Sequence, residues 1–169
     1  MTASYESTAK DRVFDIVIGT GLFAADWSNC DRISSYVANL VSQRRTDSLR
    51  YANLFSSVLN ELLEIAFRCH HAPGEIACTV YRGGPGDSIE LSVPCDAATR
   101  TFYESAVAEA CRADVAEHFV KTMLDEHRFD PQIGLMALAA DYQAKVALDV
   151  SSSDRVTIIV DFVLDELAR

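Results

Sequence analysis

Residues 49–68 run Leu-Arg-Tyr-Ala-Asn-Leu-Phe-Ser-Ser-Val-Leu-Asn-Glu-Leu-Leu-Glu-Ile-Ala-Phe-Arg, the stretch that most restricts what this chain can become. Phe55, Val58, Leu59, Leu62, Leu63 and Ala66 recur at i, i+3, i+4 and i+7 spacing, while Asn53, Ser57, Asn60, Glu61 and Glu64 fall on the opposite side. This period predicts an amphipathic helix over 48–68. Its apolar stripe has to be covered by another layer of structure. Glu64 and Arg68 stand four apart in the favourable order, worth about 0.2–0.5 kcal/mol on an exposed face.

The segments around that helix alternate between two periods. Residues 13–23 are apolar and β-branched with Gly19 and Gly21 near the end, which predicts a strand or hairpin edge. Asp26, Ser28 or Asn29 can cap a helix running through Ile33, Tyr36, Val37, Leu40 and Val41. Pro73-Gly74 closes the helical region, and strands at 75–81 and 88–93 flank Arg82-Gly83-Gly84-Pro85-Gly86-Asp87. Glycines in such a run can cradle phosphate, but the Gly-Lys-Ser/Thr ending is missing and a strand follows where a helix N-terminus is needed, so a turn is expected. Helices are predicted over 96–112, with Asp96 as N-cap, and over 113–127. Asp130-Pro131 breaks the pattern before a shorter helix at 133–142, and strands at 145–150 and 156–162 enclose a Ser151-Ser152-Ser153-Asp154 turn.

This order predicts an α/β fold: a two-layer sandwich with a mixed or antiparallel sheet and its helices on one face. A polar segment, 1–12, precedes a single domain over 13–169, and 169 residues suffice to bury a core without disulfides or metals. The net charge of -10, from 25 acidic against 15 basic residues, argues against nucleic acid or an anionic membrane as partner. Arg44-Arg45 is the one adjacent basic pair and too short to form a basic patch by itself. Five cysteines with no Cys-x-x-Cys spacing, no secretory signal and no bilayer-length apolar run predict reduced thiols in a cytoplasmic protein. His70-His71 beside Cys69 lack a second ligand pair, His118 and His127 stand nine apart, and Ser56-Ser57 lack triad partners. No metal site or hydrolase is expected from them. Trp27 and Tyr36 are core aromatics or part of a partner surface.

Leu59-Asn60-Glu61-Leu62-Leu63-Glu64-Ile65-Ala66 resembles the first motif of the histidine-kinase-like ATPase (GHKL) superfamily, in which a Glu is followed four residues later by an Asn. Ile133-Gly134-Leu135-Met136-Ala137-Leu138 resembles its late glycine box, and the likeness spans roughly 50–165, closest to small bacterial regulators related to anti-sigma-factor serine kinases. The resemblance implies Glu61 as catalytic base, Asn60, Gly134 and Leu135 as nucleotide-binding residues, and ATP with Mg²⁺ as the ligands of active members. Three positions depart from the pattern. Ile65 stands where the metal-binding Asn belongs and offers no oxygen to a hard cation. Val93-Pro94-Cys95-Asp96-Ala97-Ala98 lacks the glycines of the middle Asp-x-Gly-x-Gly motif, and Gln132 replaces a glycine of the late box. The expectation is therefore a regulatory protein of bacterial signalling that needs no cofactor and acts through a protein partner or as a homodimer. The alternative is a divergent ATP-dependent serine kinase using Glu61, and neighbouring Glu61 and Glu64 are weaker candidates for two-carboxylate chemistry.

Overall fold

Alternation of apolar and polar residues gives each strand one face to bury. The computed structural model describes residues 10–69, 72–83, 86–125 and 131–164. In chain order the elements are β1 (Asp11–Gly19), α1 (Thr20–Phe23), α2 (Ser28–Ser42), α3 (Ser48–Cys69), β2 (Glu75–Gly83), β3 (Gly86–Pro94), α4 (Ala97–Ala110), α5 (Val115–Met123), α6 (Ile133–Asp141), β4 (Lys145–Asp149) and β5 (Arg155–Phe162). The sheet order is β1-β2-β3-β5-β4 and each pairing is antiparallel. This is the expected α/β arrangement in its antiparallel form.

Register explains which face is covered. Phe14, Val80, Ile89, Val160 and Val146 form one cross-strand row, and Ile16, Cys78, Leu91, Ile158 and Leu148 form the next. Both rows join the core. The intervening row on the other face reads Asp15, Thr79, Glu90, Ile159 and Ala147, more polar and more open to solvent. A period of two can yield that division only if helices lie on one side. The predicted stripe of α3 provides the cover: Phe55, Val58, Leu59, Leu62, Leu63 and Ala66 are all essentially inaccessible. α3 packs against α2, α6 and β3 and is the central helix of that layer. The sheet's edges are protected by a bulge between Arg12 and Phe14 in β1 and by the brevity of five-residue β4.

Local chemistry fixes several element ends. Asp96 caps α4, its Oδ1 accepting from the Thr99 N–H at 2.8 Å, as its position predicts. Asp26 accepts from the Ser28 N–H at 2.9 Å and leads the chain into α2. The strand expected over 13–23 instead stops at Gly19, and Thr20–Phe23 turns into α1. Its partner β2 begins at Glu75, opposite Gly19, so no further ladder is available. Thr20 donates its N–H to the Gly74 carbonyl at 2.9 Å and accepts from the Gly74 N–H at 3.0 Å, turning Phe23 under Phe67. The helix expected over 113–127 spans Val115–Met123; His127, His70, His71 and the Gly84-Pro85 turn tip lie outside the described residues.

The β2–β3 hairpin pairs Gly83 with Gly86, and there the end of β5 comes very close. A Cβ on Gly86 would overlap the Phe162 carbonyl oxygen and lie 2.9 Å from Val163 Cγ2. Backbone cannot yield as a side chain does. Gly86→Ala is expected to destabilise the fold by about 3 kcal/mol, the upper part of the overpacking range, as measured by urea denaturation.

Candidate functional site

Of the four residues singled out by sequence, Glu61 and Gly134 meet where α6 crosses α3. Gly134 is buried at the start of α6, and a Cβ there would lie 2.8 Å from Ile65 Cδ1, 2.9 Å from Ile65 Cγ1 and 3.3 Å from Glu61 Oε2. Glu61 and Gly134 are thus brought together. Leu135 is wholly buried in the core, and Asn60 points along its own helix, donating from Nδ2 to Glu64 Oε1 at 2.8 Å. The glycine here permits close helix packing, since Ile65 fills the space that a side chain at 134 would take. Ile65 also answers the question of metal: an aliphatic group at this contact gives Mg²⁺ no oxygen ligand, so the site does not suit that ion. Among the described residues no cluster of three or more His, Cys, Asp or Glu could hold a metal.

Burial holds the Glu61 carboxyl above the usual carboxylate range, with Glu64 and, more weakly, Asp141 pushing the same way against the opposing pull of Arg68. The thiols are still less reactive. Burial, helped by Glu64, pushes Cys30 up to about 12, and burial alone carries Cys78 to about 12, so neither is a thiolate at neutral pH. All five cysteines are free and Cys111 is the exposed one.

A second constellation lies at the other end of α3. Asp87, at the start of β3, belongs to the sheet face that meets the helices, and its side chain is only 4% exposed. Its Oδ2 accepts from Arg45 Nη2 at 2.6 Å and from the Tyr51 hydroxyl, and Oδ1 faces Arg82 Nε at 3.4 Å. Arg45 lies over the Tyr51 ring, 4.5 Å from its centroid, and Arg82 donates from Nη2 to the Val41 carbonyl at 2.6 Å near the end of α2. Burial and the hydrogen bond to Asp87 raise the Tyr51 hydroxyl well above its ordinary value. Beside this cluster is a cavity of about 440 Å³ lined by Arg44, Arg45, Arg50, Tyr51, Leu54 and Leu164, with Thr46 and Asp47 on its wall. Arg44 and Arg82 also line a neighbouring cavity of about 240 Å³.

Sequence reasoning passed over this corner. Arg44-Arg45 was its sole local sign, because Asp87 and Tyr51 arrive from 42 and 6 residues beyond Arg45. The lone aspartate in 82–87 reads as turn chemistry. Trp27 and Tyr36 are exposed and not core, Trp27 packed edge-to-face with Phe67 under the Arg68 guanidinium and Tyr36 edge-on to Phe14.

Two measurements check these assignments. Asp87→Asn is expected to cost about 2–3 kcal/mol in denaturant unfolding, less than the loss of a fully buried partner because Arg45 and Arg82 retain 21% and 32% side-chain exposure. For Glu61 the folded state binds its proton more tightly than the unfolded state, so its charged form opposes folding above the folded pKa and stability falls as pH rises into that window. Glu61→Gln should therefore raise the melting temperature at pH 7, and its advantage should shrink as pH falls through the raised folded pKa and be gone below the unfolded value of about 4.3.

No helix among the described residues is long and apolar enough to cross a membrane. Compared with protein-family models, with curated proteins and with solved structures, the chain matches none.

Proposed function

We propose that this chain is a regulatory protein of a signalling module that acts through a protein partner and does not turn over ATP. The packing of Gly134 on Ile65 carries this reading. A nucleotide site of the histidine-kinase-like kind needs an open glycine segment for the phosphates and an oxygen ligand for the metal. Here the corresponding glycine is closed by a helix contact, and the side chain that closes it is the one standing in for the metal ligand. Leu135 has likewise gone to the core. What remains is a rigid helical layer on a sheet, a scaffold for recognition more than for chemistry.

The runner-up, a divergent ATP-dependent serine kinase, is favoured by one feature. Glu61 sits partly buried with its carboxyl raised toward the range in which a general base works best. The two readings differ in calorimetric titration with ATP and ADP, with and without Mg²⁺, followed by a phosphotransfer assay on serine-containing protein substrates. The regulatory reading expects no magnesium-dependent heat and no transfer. Magnesium-dependent binding with transfer that disappears in folded Glu61→Gln protein would establish the kinase instead.

A further inference from the structure

We draw no further inference here: the strongest candidate, the exposed apolar patch that Val120 and Met123 of α5 form with the following Leu124, carries nothing because nothing in the structure shows what covers it.

Discussion

One carboxylate closes the end of this sandwich where the sheet's apolar face runs out. Along β3 the residues facing the helices are Asp87, Ile89, Leu91 and Val93, so the row that begins in the core ends in a buried charge. An isolated carboxylate there would be far too costly. Asp87 is tolerated because three donors from three places converge on it: Arg45 from the α2–α3 connection, Tyr51 from α3 and Arg82 from the neighbouring strand. Each donor is also held by a second contact, Arg82 by the Val41 carbonyl, Arg45 by the Tyr51 ring, and Tyr51 by stacking on Phe55, whose ring meets Phe162 of β5. The charge thus fixes how the hairpin, the loop and the central helix meet.

From that fixed end the rest of α3 follows as packing. Its buried stripe lies on the sheet, and at its far end Gly134 lets α6 approach until Ile65 and Glu61 touch the glycine backbone's surroundings. The two ends of the helix therefore have opposite character. The first turn holds Arg50 beside Arg44 and Arg45 of the preceding connection, whereas the later turns gather Glu61 and Glu64 with Asp141 near enough to act on Glu61. Arg68, in ion-pair reach of Glu64 at 3.5 Å, relieves the acidic end.

Elements set by near neighbours were legible in the sequence. The α3 stripe, the Asp96 cap and both hairpins depend on spacing within a few residues, and periodicity or turn chemistry reports them directly. Gly19 misled because the apolar pattern continues to Phe23 after the ladder has lost its partner; the end of a strand is decided by another segment, here the start of β2. Glu61 and Gly134 do lie side by side, but a motif does not say whether a glycine frees backbone for a ligand or admits a neighbouring helix. Ile65 decides that, through a contact 69 residues away in sequence from Gly134. The Asp87 cluster was invisible for the same reason: each of its members has an ordinary local explanation, as turn residue, loop basic pair or helix aromatic.

The distribution of charge along α3 bears on how its two ends are held. A helix normally gains by placing acids in its first turn and bases in its last. Here the last turn obeys, with Arg68, while the first turn holds Arg50 and no acid. Asp47 supplies the cap one residue before the helix, its Oδ1 accepting from the backbone N–H of Arg50. Asp87 lies inside the fold, buried and shared among Arg45, Arg82 and Tyr51. Arg44, beside them, lines both cavities. The charges of this corner thus hold the structure together, Asp87 drawing Arg45 and Arg82 against Tyr51 while Asp47 closes the backbone of the first turn of α3.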